Sequence, residues 1–191
     1  MKRFANYFAG TLLALLSLSA CIGADHSEGE GSESASSSNT ERVYGSGYSF
    51  GAPAGWKNLQ ETGDFDDTDV FWGDCRNQGC VPNVNVIAMT FDEGLKADHV
   101  DTDGLAALQR DTADLLEDAG IASEPQGFEE LDGVPAAVTF TGDEMAHGQA
   151  AAILLVPNND TQMYYTVTIR GSYWSDRESS LRQIVDSWAW D

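Results

Sequence analysis

The chain has 191 residues, 42% of them hydrophobic, and carries 31 acidic against 10 basic side chains, a formal net charge of −21. That length and apolar content suit one globular domain with leader and linker sequence to spare. A surface this acidic repels phosphate backbones and anionic headgroups, which excludes nucleic acid as a partner and electrostatic attachment to a membrane.

Residues 1–20 read as a lipoprotein signal peptide. Lys2 and Arg3 form a short positive region, and Phe8–Leu18 is a mostly apolar run of 11 residues. Such a run suits a signal sequence and is too short to span a bilayer as a helix. It ends in Leu18-Ser19-Ala20-Cys21, which looks like a lipobox. There the Cys21 thiol takes a diacylglycerol and the chain is cut before it; an ordinary secretory signal with a coincidental cysteine is the alternative. Two or three acyl chains anchor a protein stably, at about 0.8 kcal/mol per buried methylene. Cleavage would leave 8 basic against 31 acidic residues, a net of −23. This excess of acid fits a salt-adapted proteome and a soluble envelope protein alike.

The lipidated cysteine and the residues to 42 form a tether. Ile22–Arg42, rich in Ser, Gly and Glu, has no hydrophobic period and too little apolar surface to offset chain entropy. As a flexible linker it spans roughly 25 Å. His26 within it is a bystander.

Residues 43–191 read as one domain. Val43–Phe50 supplies a first strand and Val70–Trp72 a short one, while Asn83–Phe91 alternates and then turns continuously apolar, as a mostly buried strand does. Asp101–Ala119 is an amphipathic helix with Leu105, Leu108, Leu115, Leu116 and Ala119 on one face, capped by Asp101 or Asp103 and stopped by Gly120. Val134–Thr141 is a strand after the Asp132-Gly133 turn. Ala150–Val156 and Met163–Arg170 form a hairpin across the turn-rich PNNDT. Ser175-Asp176-Arg177-Glu178 reads as a capping box opening a last helix, with Leu181, Ile184, Val185 and Trp188 as its inward stripe. Strands in series, with one helix in the middle and one at the end, predict an α+β fold: a largely antiparallel sheet flanked by helices.

Cys75 and Cys80, in CRNQGC, are an even pair once Cys21 is lipidated, and in an oxidising compartment they read as a disulfide, with two free thiols as the alternative. Two cysteines make a poor zinc site.

Other motifs invite chemistry. GYSFG, Gly47–Gly51, spells G-x-S-x-G, the pattern of a serine-hydrolase nucleophile elbow, which needs a strand before it, a helix after it and a later histidine. Pro53 and Gly55 follow instead of a helix, and the candidate bases His99 and His147 lie in no recognisable motif. Ser49 therefore reads as an exposed strand residue. DFDDTD, Asp64–Asp69, offers carboxylates to a hard cation but lacks the glycine and glutamate of a calcium loop, so a solvated loop is the plainer reading. The tryptophans and tyrosines read as core rather than as a ligand groove. Trp174 and Trp190, least constrained by pattern, are expected at the surface.

Pro53-Ala54-Gly55-Trp56, then Val81-Pro82-Asn83-Val84-Asn85-Val86 entering a strand, then Leu131-Asp132-Gly133-Val134-Pro135-Ala136-Ala137, and finally Ile184-Val185-Asp186-Ser187-Trp188 occur in that order. Over residues 46–188 this resembles the LpqN/LpqT-type lipoproteins of actinobacterial envelopes, whose domain is similar to the PsbP-like α/β/α sandwich. The CRNQGC insertion departs from that pattern. The resemblance implies a non-catalytic envelope protein and offers no catalytic residues.

The expectation is a membrane-anchored extracytoplasmic lipoprotein that binds an envelope protein, glycan or lipid, without cofactor or resident metal. The alternatives are an envelope serine hydrolase using Ser49 and a weak divalent-cation-binding protein.

Overall fold

The computed structural model describes residues 41–60, 68–76, 80–95, 97–142, 150–171 and 173–191. The signal peptide, Cys21, the tether as far as Thr40, Asp64–Asp67 and His147 lie outside them, as do the side chains of Trp174 and Asp176.

Among the described residues, ten strands and three helices follow in the order β1 (Glu41–Tyr44), β2 (Tyr48–Ala52), β3 (Lys57–Asn58), β4 (Val70–Gly73), β5 (Asn83–Thr90), α1 (Phe91–Gly94), α2 (Thr102–Asp118), β6 (Ser123–Leu131), β7 (Val134–Thr141), β8 (Ala151–Asn158), β9 (Met163–Arg170), α3 (Trp174–Ser187) and β10 (Ala189–Trp190). A seven-stranded sheet has the order β3-β4-β5-β9-β8-β7-β6, and a three-stranded sheet the order β1-β2-β10. Every ladder is antiparallel. This is the α+β architecture expected.

Period-two alternation sorts the large sheet into two faces. On β8, Ala152, Leu154 and Val156 join one core, with β2, α3 and Trp188. Ile153 and Leu155 point the other way, into a second core with Leu105 and Leu116 of α2 and Phe91 of α1. The molecule is therefore layered: α2 on one face, the sheet between, and α3 with the small sheet on the other. Burial on both faces explains why β8 reads as a nearly continuous apolar run.

Several boundaries moved. β1 starts at Glu41, two residues inside the segment read as tether. The first strand is a hairpin, β1 and β2 turning at Gly47, whose φ of 83° suits glycine. The capping box expected at Ser175 is not used. Helix α3 begins at Trp174 with Tyr173 as N-cap and no side-chain cap. Gly171 lets the chain pack directly on the backbone of Arg177, where a Cβ would clash. A true capping box sits instead at Thr90 and Glu93, opening α1. α2 is capped by Asp101, whose carboxylate accepts from the Gly104 amide at 2.8 Å. Its inward stripe holds Gln109 and Thr112 beside the expected leucines, while Leu115 is only half-buried. The β6 strand was missed altogether, because Pro125 and a bulge at Gly127 break its pattern and its edge position leaves it mostly exposed.

Candidate functional site

Between α3 and the β6–β7 edge runs an open groove of about 570 Å³. Its existence follows from the α3 stripe. Leu181, Ile184 and Val185 are buried on the sheet, so the next helix face, bearing Ser175, Glu178, Ser179 and Arg182, looks along the sheet toward β6. Val138 and Phe140 from β7 and Leu181 line the groove with apolar surface, and Glu129, Glu178 and Arg182 supply charge. Arg182 donates to the Glu129 carboxylate at 2.8 Å, linking helix to sheet.

Arg177 lies beside the groove and is fully buried. Its guanidinium carbon sits 3.5 Å from the centroid of the Phe140 ring, a cation–π contact worth up to about 2 kcal/mol when desolvated. Nη2 donates to Glu178 Oε1 at 3.2 Å. Burial pulls the guanidinium down from its ordinary value, and the Glu178 and Glu124 carboxylates oppose that shift. The groove thus joins an apolar lining to a rim of glutamates, and both nearby cations already have carboxylate partners.

The residues singled out from sequence are scattered. Ser49 is buried, not exposed, because β1 and β10 flank it on both sides. Its Oγ accepts from Arg42 Nη2 at 2.9 Å and Nε at 3.2 Å. Arg42 Nη1 also donates to the Ser187 carbonyl at 2.8 Å, so the pair clamps β2 to the end of α3. No helix follows Ser49; β2 runs on to Ala52. The elbow geometry is therefore absent at this serine, and its oxygen faces a permanently charged donor instead of a base.

Asp69, the described carboxylate of DFDDTD, accepts from Ser46 Oγ at 2.6 Å and from the Ser46 amide at 2.8 Å, fixing the β1–β2 turn. Burial raises the neighbouring Tyr48 phenol above its ordinary value, with Asp69 adding to the effect. His99 is exposed, next to Val100, whose amide donates to Asn159. Among the described residues no three His, Cys, Asp or Glu side chains come together to hold a metal ion.

Cys75 and Cys80 stand at bonding distance, S–S 2.05 Å. Just before Cys75, the Asp74 carboxylate accepts from Arg76 Nε at 2.9 Å. That bond holds Asp74 below the usual carboxylate range. The Cys80 and Pro82 backbone packs tightly on β4: a Cβ at Gly73 would lie 3.0 Å from the Cys80 carbonyl oxygen and 2.9 Å from that of Pro82. Trp190, expected at the surface, is half-buried, its Nε1 donating to the Leu131 carbonyl at 2.7 Å.

The groove was illegible in the sequence. Glu129 sits in the unread strand β6, and nothing local links it to Arg182, 53 residues further on. The pair Arg177-Glu178 was visible only as a piece of a cap.

No family model and no curated protein sequence matches the chain. Solved structures do. The solution structure of the cyanobacterial PsbP protein (CyanoP) of Synechocystis is similar at a TM-score of 0.51, with 19% identity over 84% of this chain and 98% of that one. The Ran-binding protein Mog1p of Saccharomyces cerevisiae gives 0.55, with 13% identity over 80% of this chain and 96% of that one. A mutant of the protein Mog1 also gives 0.55, with 12% identity over 79% of this chain and 95% of that one. The domain therefore has the PsbP-like α+β fold that these proteins share.

Proposed function

We propose that the chain is a lipid-anchored envelope protein of the LpqN/LpqT type, tethered through Cys21 on the extracytoplasmic face, and that its domain is a non-catalytic interaction module. The groove between α3 and the β6–β7 edge carries this reading. An apolar lining with a glutamate rim suits an extended peptide segment presenting basic and apolar side chains. The lipobox and the acidic tether support the anchor, and the PsbP-like fold gives a scaffold for binding rather than a catalytic set.

The test uses the full chain in detergent micelles and a fluorescent nonapeptide of alternating lysine and leucine. The expected result is saturable binding that falls at least about tenfold in the double variant Glu129→Lys/Glu178→Lys. The control Asp111→Lys/Asp114→Lys, a charge change of equal size on α2, should bind as wild type. Equal losses in both variants would reduce the effect to diffuse charge and reject the groove.

A further inference from the structure

Strand β6 forms one edge of the seven-stranded sheet, and among the described residues no strand pairs with its outer side. The opposite edge, β3, is two residues long, too short to template another chain. β6 has nine residues, most of them exposed. An edge of this length leaves a row of amides and carbonyls open to a new strand unless something blocks it.

Which groups are open follows from the turn. Leu131 and Val134 pair across Asp132 and Gly133, both at positive φ, 46° and 85°. A two-residue turn of this kind closes on a pair that exchanges both hydrogen bonds, and such pairs alternate along an antiparallel ladder. Glu129 and Ala136 are therefore the next bonded pair. The amides and carbonyls of Glu130 and Phe128 point away from β7. Pro135 agrees with this register: it has no amide to donate, and it lies opposite Glu130, where none is needed. Toward Ser123 the bulge between Pro125 and Gly127 interrupts the ladder, so the usable edge is Phe128 to Leu131.

The two faces of that edge say what an added strand carries. Glu129 pairs with Ala136, which belongs to the core on the α3 side, and its carboxylate reaches Arg182 in the groove. Phe128 pairs with Ala137, which belongs to the core on the α2 side, and is 47% exposed. Period-two alternation gives a neighbouring strand the same two faces. One meets Glu129 and the groove's Glu178, and the other meets an open aromatic ring. Basic side chains suit the first and apolar ones the second. A second copy of this chain is the wrong occupant, since β6 beside β6 brings Glu129 and Glu130 against their own like charges.

Taking the groove as the binding site, on which this rests, we infer that its partner is a segment of another polypeptide that joins the sheet as a further strand beside β6. Its backbone pairs with Phe128 and Glu130. Its basic residues turn toward Glu129 and Glu178, and its alternate apolar residues cover Phe128. Main-chain bonds supply the docking, and the two faces supply the choice of sequence.

The test uses the wild-type full chain in detergent micelles, the fluorescent lysine–leucine nonapeptide, and hydrogen exchange of single amides read by NMR. At saturating peptide the Phe128 and Glu130 amides exchange at least about tenfold more slowly. Those of Glu129 and Leu131, already bonded to β7, change little. A second measurement compares Glu130→Pro with Glu130→Gln. Both lack the carboxylate, but only proline removes the outward amide and sets a ring in its place. Glu130→Pro binds the peptide at least about tenfold more weakly than Glu130→Gln. The exchange measurement needs no variant, so a proline variant that fails to fold does not shield the proposal. Saturable binding without protection of the two amides, or equal binding by the two variants, overturns strand addition and leaves the groove reading standing. No saturable binding, or equal losses in Glu129→Lys/Glu178→Lys and Asp111→Lys/Asp114→Lys, overturns both.

Discussion

The two faces of the seven-stranded sheet are built from the same strands by opposite rules. Toward α3 and the small sheet the core is aromatic and interlocked: Trp188 stacks on Tyr48 with centroids 4.5 Å apart and lies 5.7 Å from Phe50, with Trp190 edge-on at 5.5 Å. Toward α2 the same strands place threonine and asparagine among their aliphatic side chains. Even the helix contributes Gln109, whose Nε2 donates to the Val138 carbonyl at 2.6 Å and to Gly127 at 3.1 Å. The first face is organised for stability, since aromatic pairs add about 0.5–1.5 kcal/mol each beyond their burial. The second gives stability away at one end, where polar atoms stay unpartnered. Aromatic packing is thus concentrated on one face, and buried threonine and asparagine on the other.

Breaking the aromatic face is expected to have the largest effect. Trp188→Ala removes the ring on which β2 and α3 meet, and should cost about 3–5 kcal/mol, read as a lower denaturant midpoint. The same truncation at exposed Tyr173 should cost little; a similar loss at both would show that the stack carries no special weight. Next comes the bridge from α2 to the sheet. Gln109→Leu leaves the Val138 and Gly127 carbonyls without that donor and is expected to cost about 1–3 kcal/mol. Reducing the Cys75–Cys80 bond should cost roughly 2 kcal/mol in the chain-entropy view, seen as a midpoint drop with dithiothreitol that Cys75→Ser/Cys80→Ser abolishes. Ser49→Ala unclamps Arg42 and should cost about 1 kcal/mol. Esterase turnover lost with that substitution would restore the nucleophile reading.

Acid gives the smallest effect. Because the Arg76 bond depresses Asp74, its contribution is present above the unfolded carboxylate value of about 3.9 and is lost as pH falls through the lower folded value. Arg76 is 76% exposed, so solvent screens the pair and the loss is well under a full buried pair's. Asp74→Asn should flatten the acid limb of the stability curve, and an unchanged limb would place the acid sensitivity elsewhere.

Much of this fold was legible because period and caps coincide. β8, β9 and α2 follow their apolar repeats, and the α3 stripe of Leu181, Ile184, Val185 and Trp188 is buried as its spacing predicts. What escaped were elements whose residues answer to neighbours distant in sequence. Strand β6 reads as a loop until β7 pairs with it. Glu41 and Arg42 read as tether until Ser49 and Ser187 give the arginine its partners. The α3 cap looked sound at Ser175, but the N-cap is Tyr173, two residues earlier, where Gly171 packs on the backbone of Arg177. The groove and the buried threonines of the α2 face were hidden for the same reason: each is set by register, and threonine in a strand carries no mark of whether its hydroxyl has a partner.

The division between faces rests on the threonine hydroxyls having nothing of the chain to bond. The most direct measurement is the urea midpoint of Thr139→Val/Thr168→Val against wild type. A hydroxyl with no protein partner is replaced by a methyl of the same shape, so the midpoint should hold or rise. A fall of about 1–3 kcal/mol per site would mean that these groups are bonded within the fold.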